Sequence, residues 1–330
     1  MASVSNQGGV ATATPTKARI LRNPRKSFGF RLQRDLAKNW FAYVIFIPII
    51  VWYIVFCYLP MWGIVIGFYD YRPLLGLEKS QFVGLKHFKE FFNNIFAKRI
   101  IANTIILNLW GLIVGFPAPI ILALLLNEVH NKYMKKTVQT ITYLPHFISL
   151  VVICGMIHMF TGSNGFITQI VAALSDHPDN KSLLGVSEFF RPIYTFSGIW
   201  QNVGWDSIIY LAAMSAVAPE LYESADLDGA SRIQKMWHIT IPTIAPTIVI
   251  LLIFAVGGML GSGHEKIILL YNHLTMDRAD VIASYVYRLG VGSGQYSFTT
   301  AVGLFSAVIN FILLIFTNMF AKKFSEITIW

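Results

Sequence analysis

Residues 41–67 read FAYVIFIPIIVWYIVFCYLPMWGIVIG, an unbroken run without one Asp, Glu, Lys or Arg. A helix of about 20 apolar residues crosses the ~30 Å hydrocarbon core of a bilayer. This run is therefore long enough to span it with tilt, and Pro48 and Pro60 are expected kinks. Five more long apolar stretches follow: about 104–126 (with Pro117 and Pro119), 138–160 (with Pro145), 193–217, 244–261 and 300–320. The fourth is unusually polar for a span. The expected fold class is all-α: a polytopic membrane protein with six transmembrane helices and a short amphipathic helix before the first.

Composition supports this. Charged residues make up only 13% of the 330 positions and hydrophobic ones 55%, against about 25% and 45–50% in soluble domains. The net charge of +9 is no sign of a nucleic-acid face, because eight of the 26 Lys and Arg lie in the first 38 residues: Lys17, Arg19, Arg22, Arg25, Lys26, Arg31, Arg34 and Lys38. A basic segment ahead of a first span is what the positive-inside bias produces. With the amino terminus inside, cytoplasmic segments hold 15 Lys and Arg and external ones 11, so both termini are expected to be cytoplasmic. No cleavable signal peptide is expected, since the first long apolar run is a full span.

Residues 1–27 carry little to bury and are expected to be disordered. In residues 28–40, FGFRLQRDLAKNW, Arg31, Arg34 and Lys38 share one helical face and Leu32, Leu36 and Trp40 another. That pattern predicts a helix lying on the cytoplasmic surface. The transmembrane remainder, 41–330, has long external connections at about 68–103, 161–192 and 262–299. The TGSNGF and SDHPDN stretches of the second can fold back along the membrane. Cys57 and Cys154 lie inside apolar spans, and no two His residues stand at a metal-binding spacing, so neither a disulfide framework nor a metal site is expected.

One internal loop departs from the positive-inside trend. Residues 218–243 carry Glu220, Glu223, Asp226 and Asp228, and a long acidic loop on the cytoplasmic side needs a reason other than topology. Positions 219–246 read PELYESADLDGASRIQKMWHITIPTIAP. Tyr222–Leu227 predicts one short helix, Gly229 a reversal and Arg232–Trp237 the start of a second helix, together a compact knob. The string resembles the EAA signature of bacterial ABC importer permeases. Glu223, Ala225, Asp228, Gly229, Ala230, Ile239 and Pro242 match it; Ser224 replaces the middle residue of the triplet, Trp237 takes the aromatic place and Ile241 stands for Leu. GWDSIIYLAAM (204–214), FVGLKHFKEFF (82–92) and GHEKIILLYNHLT (263–275) look like the carbohydrate-uptake branch, and more narrowly the LplB-type permeases of oligosaccharide and polysaccharide uptake.

The resemblance covers the chain from about Trp40 onward. It implies a transport subunit, not an enzyme, in the inner membrane and working by alternating access. It also implies as partners a second homologous permease, two ATPase subunits and an extracytoplasmic solute-binding protein, with a carbohydrate as substrate. In that family the knob sits in a cleft of the ATPase subunit, so Glu223, Ser224, Ala225, Asp228, Gly229, Ala230, Ile239 and Pro242 are expected to couple the two. Glu223 would offer its carboxylate to a partner's Arg or Lys. No cofactor is expected in this chain; ATP and Mg belong to the ATPase subunit. GGMLGSGHEK (257–266) and GVGSGQYS (290–297) lack the Gly-Lys-Ser/Thr ending that would place a lysine on phosphates. They are expected to serve close helix packing, with Gly257 and Gly261 at small-xxx-small spacing, and a flexible outer loop.

An ionisable residue inside a span by default faces a cavity or a partner. Asp206 is such a residue, and Gln201, Asn202 and Trp205 lie within little more than one turn of it. Aromatic faces with amides and carboxylates suit a sugar's C–H surface and hydroxyls, so these four are the expected substrate path. Asn108, Trp110, His146 and Asn310 fit helix–helix bonds better. Glu265 and Lys266 fit a salt bridge, a gate or a contact for the binding protein. An ion-coupled secondary transporter would need coupling carboxylates near the midplane, and Asp206 stands alone. A membrane enzyme would need a clustered acid, base or metal site. External segments carry 11 basic and 9 acidic residues, a balance that permits an acidic polymer such as alginate or a pectin fragment.

Overall fold

The computed structural model describes residues 28–174, 181–261 and 263–324. The amino-terminal tail, the SDHPDN stretch and the last six residues, on which some expectations fall, lie outside them. The chain forms two units, one ending at Met61 and one beginning at Trp62. In the first, α1 (Phe28–Tyr53) leaves helical geometry at Asn39 (φ −118°, ψ 25°), where the basic stretch gives way to the apolar run. A wide turn (Ile54–Tyr58) and α2 (Leu59–Met61) follow. Trp40, Phe46 and Ile50 are all exposed, an arrangement that water would penalise and lipid chains would not.

The second unit opens with a 3₁₀ turn (Trp62–Phe68) and a short hairpin, β1 (Tyr69–Asp70) with β2 (Gln81–Phe82), antiparallel with Tyr69 opposite Phe82. Then come α3 (Lys86–Asn93), α4 (Ala97–Trp110), a wide turn (Gly111–Gly115), α5 (Pro117–Glu128), α6 (Lys132–Tyr143), a 3₁₀ turn (Leu144–Phe147), α7 (Leu150–Thr161), α8 (Phe166–Leu174) and α9 (Ser187–Met214). The chain continues through α10 (Pro219–Leu227), α11 (Arg232–Lys235), a wide turn (Met236–Thr240) and α12 (Ile241–Gly257). It closes with α13 (His264–Leu270), α14 (Met276–Ala279), α15 (Ile282–Tyr287), a wide turn (Arg288–Gly292) and α16 (Tyr296–Phe324).

Four helical stretches among the described residues are long and apolar enough to cross a membrane: Leu36–Phe68, Ala97–Glu128, Arg232–Gly257 and Tyr296–Lys322. The third expected span is a broken one, Lys132–Phe147 and Leu150–Thr161 bent by 100°. Pro145 lacks the N–H that would continue α6, Ile148 is extended (φ −79°, ψ 134°), and Ser149 caps α7 by accepting from the Val152 amide at 3.4 Å. The fourth expected span is α9, whose 28 residues reach about 40 Å but carry too many polar side chains to pass as an apolar helix.

α9 is the pillar of the second unit. At Gly204 it meets α6 so closely that a Cβ would lie 2.1 Å from the Thr142 carbonyl oxygen. Below that crossing Tyr210 and Met214 pack with Ala123 and Leu124 of α5 and Ile244 of α12. Above it Phe190 joins Ile153 and Cys154 of α7 and Ile267 and Leu270 of α13. A third cluster ties Phe91 and Ile100 to Ile282, Tyr285 and Val302.

Segment 263–299 therefore supplies core through its short helices, while residues 291–296 of the Gly-rich stretch stay exposed. Its helices are too short to show periodicity in sequence. Asp280, 2% exposed, accepts two bonds from Arg288 (3.1 and 2.7 Å) and one from Ser284 (2.8 Å), pinning α15. Gly257 is a close-packing position as expected, since a Cβ there would lie 2.8 Å from Leu314 Cδ1.

Candidate functional site: an exposed helical knob and a polar cavity

The knob is built by local capping. α10 ends in a Schellman turn: the Ala230 amide donates to the Ala225 carbonyl (2.9 Å) and the Gly229 amide to that of Asp226 (3.1 Å). This closure needs a left-handed residue, and Gly229 supplies it at φ +73°. Ser231 then opens α11 with a capping box. Its hydroxyl accepts from the Gln234 amide (3.4 Å), and the Gln234 side chain accepts from the Ser231 amide (2.7 Å). Two cross-links brace the reversal, Lys235 Nζ to Asp226 Oδ1 at 2.6 Å and the Tyr222 hydroxyl to Thr240 Oγ1 at 2.9 Å. The ion pair is half open to solvent and contributes about 0.2–1 kcal/mol, so the Schellman turn and the capping box carry the shape.

The outward face of this knob is apolar and acidic together. Leu227 is 90% exposed, Ile233 68% and Trp237 62%, an excess of apolar surface that marks an interaction site. Glu223, Ser224, Asp228 and Gly229 are exposed beside them, Ala225, Ala230 and Ile239 are half-buried, and Pro242 is exposed. Among the described residues neither Glu223 nor Asp228 has an ion-pair partner.

The second feature is a cavity of about 600 Å³ between α9, the Gly111–Gly115 turn, Gly261 and residues 263–266. Gln201, Asn202 and Asp206 of α9 line it. Trp205 does not: its ring lies flat on that of His146 (centroids 4.5 Å apart, planes 1° apart), with Phe147 edge-on. The reason is helical phase, since position 205 is turned about 100° from 206 and faces the broken span. His146 also bonds Asn202 through Nδ1 and Oδ1 (3.0 Å), and Asn310 accepts from the Leu260 amide (3.0 Å), so both serve structure. Asp206 makes no hydrogen bond to a described residue and borders a second cavity of about 340 Å³ that also touches Asn108 and Tyr210.

Sequence reasoning missed the cation in the first cavity. Lys266 does not pair with Glu265; its side chain is buried, 7% exposed, with Glu265 exposed beside it. Its Nζ donates to the Tyr194 carbonyl (3.0 Å) and lies 5.0 Å from the centre of that residue's ring. Burial pushes the Lys266 ammonium down to about 8. Gly263 (φ +83°) lets the chain pass so close that a Cβ would lie 2.1 Å from the Tyr194 hydroxyl. The signal available in sequence was a lone Lys ahead of the apolar run IILL, within a segment taken to be external.

The family model of the binding-protein-dependent transport system inner membrane component matches residues 115–326. Protein LplB of Bacillus subtilis (strain 168) is 42% identical over 299 residues, covering 90% of this chain and 93% of that one. The polygalacturonan/rhamnogalacturonan transport system permease protein YteP of the same organism is 43% identical over 297 residues, covering 90% and 92%. A chain in the crystal structure of a bacterial alginate ABC transporter, in complex with an alginate pentasaccharide-bound periplasmic protein, superposes with a TM-score of 0.82. It is 40% identical, covering 91% of this chain and 100% of that one. The chain belongs to the family of binding-protein-dependent transport system inner membrane components, the membrane-spanning permease subunits of ABC importers.

Proposed function

We propose that this chain forms half of the translocation pathway of an ATP-driven importer of oligosaccharides, with uronic-acid polymers as the substrate class. The observation that carries the reading is the knob: a preformed, doubly braced helical reversal that presents Leu227, Ile233 and Trp237 with exposed Glu223 and Asp228, neither ion-paired among the described residues. Such a surface has no use in a single-chain carrier and suits docking into the cleft of an ATPase subunit, which would bind the ATP and Mg. The relatives' substrates, polygalacturonan and alginate, support the sugar class. Alternating access would require a second, homologous permease, two ATPase subunits and an extracytoplasmic solute-binding protein. Both termini would be cytoplasmic, on the side of the knob.

The test is assembly followed by transport. Co-expressed with its ATPase subunit, the wild-type chain is expected to copurify with it, and Glu223→Lys to lose most of that recovery. A desolvated charge pair that loses one partner costs about 3–5 kcal/mol, because the remaining charge stays buried. Recovery of equal ATPase with wild type and Glu223→Lys would remove this residue from the interface. Proteoliposomes holding the assembly should take up an oligogalacturonide only with ATP inside; uptake driven by an ion gradient without ATP would overturn the reading.

A further inference from the structure

Lys266 is the unusual group of the cavity. A buried ammonium is costly and ordinarily sits against a carboxylate. Here Asp206 and Glu265 line the same cavity, yet among the described residues no carboxylate forms an ion pair with Lys266. One carbonyl and one ring face of Tyr194 hold it on one side, and an ammonium has three protons to give. The wall beside it is cleared by a glycine: a Cβ on Gly198 of α9 would lie 3.3 Å from Nζ. A cation held without its own anion, at the wall of a cavity of about 600 Å³, with its approach kept open, is a receptor for an anion that comes and goes.

We infer that Lys266 is a specificity-determining residue of the pathway: its ammonium receives a carboxylate of the passing sugar chain, so the cavity favours uronate units over neutral ones of equal size. This rests on the oligosaccharide reading above. The other titratable groups facing the cavity are Asp206, Glu265, His264 and Tyr194, with Cys154 behind Lys266. Asp206 and Glu265 repel a uronate, which leaves Lys266 as the group that tips the balance. The two exposed carboxylates remain available to sugar hydroxyls as acceptors. Gly198 serves as a positioning residue, acting through the room it leaves at Nζ.

The experiment uses the whole transporter, with ATPase and binding protein, in proteoliposomes. The probes are trigalacturonate and its methyl ester, which keeps the size and hydroxyls and removes the charge. Lys266→Met is expected to lower uptake of the acid trimer about tenfold, the loss of one charge-assisted hydrogen bond, and to change uptake of the ester less than twofold. Lys266→Arg should recover part of the acid uptake. Gly198→Ala, a mild change for a helix, should crowd Nζ and lower acid uptake selectively, which keeps the inference testable if Lys266→Met assembles poorly. Equal losses for both probes, or none for either, would overturn it. Wild-type uptake of the ester with no preference for the acid would also overturn it while leaving the oligosaccharide reading intact. If the wild type takes up neither probe, the oligosaccharide reading fails, and the inference with it.

Discussion

Gly229→Val isolates the backbone from packing. At φ +73° the added Cβ of any residue would meet no atom within 4 Å, so substitution creates no clash beyond the residue itself. What remains is the cost of the left-handed region, about 1–2 kcal/mol for an L-residue and highest for a β-branched one, whereas Asn tolerates it. The expected order of function is therefore Gly, then Asn, then Ala, then Val. With 1.4 kcal/mol per factor of ten, Val should reduce the population of the closed reversal about 5–30-fold. The Asp226–Lys235 and Tyr222–Thr240 links resist by at most about 2 kcal/mol together. The assay is sugar uptake per ATP hydrolysed in proteoliposomes, with detergent melting as the control. Uptake per ATP should fall steeply for Val and little for Asn, with melting nearly unchanged because the knob lies outside the core. Wild-type coupling in Gly229→Val would refute the argument, and so would equal defects in Asn and Val.

Gly204→Ala should show the opposite lesion. Its Cβ would strike the Thr142 carbonyl at 2.1 Å, backbone against helix, so a loss of at least about 1–3 kcal/mol is expected; an unchanged melting temperature would contradict the close α6–α9 crossing. Asp206→Asn removes a charge that no described residue bonds, so melting should hold while uptake of a uronate rises through lost repulsion. A lower melting temperature with an unchanged sugar profile would instead make Asp206 a structural residue. Lys266 carries a pH signature. Below about pH 8 it is charged in both folded and unfolded chains, and from there to 10.5 only the unfolded chain keeps the proton. Folding should thus be favoured progressively as pH rises through that window, by at most about 3 kcal/mol relative to Lys266→Met. A difference in melting between the two proteins that stays flat with pH would refute this.

The helical membrane architecture was legible because uncharged runs such as 41–67 need no tertiary context to interpret. The knob was legible too, since Gly229 is a local signal and the bonds that close the reversal around it span at most five residues. Legibility ended where geometry depends on distant chain. Nothing near Pro145 says that the third span bends by 100°, since a proline is as compatible with a mild kink. Trp205 looked like a cavity residue by proximity to Asp206, but helical phase and the distant ring of His146 claimed it. Lys266 was read against its sequence neighbour Glu265, whereas its actual contacts are with Tyr194, 72 positions away.

The wide turns of this protein share a grammar. In three of them the closing five-residue bond is donated by the residue just before a proline: Leu59 to Ile54, Phe116 to Gly111 and Ile241 to Met236. Each following proline, Pro60, Pro117 or Pro242, lacks the amide that would have served the carbonyl four residues back. In an ordinary turn the proline ring would also crowd the carbonyl four residues back, and the wide turn relieves that clash, which favours keeping the extra residue. One added residue advances the helix by about 100° and 1.5 Å, which makes each such turn a fixed phase shifter. The turn at Met236–Thr240 stands between the knob and α12, so any displacement of the knob enters α12 through an indexed joint. Pro242, read as a motif residue, is then the pawl that holds this index. Its replacement by Ala would free the helix to rewind by one residue and turn a different face of α12 toward α16.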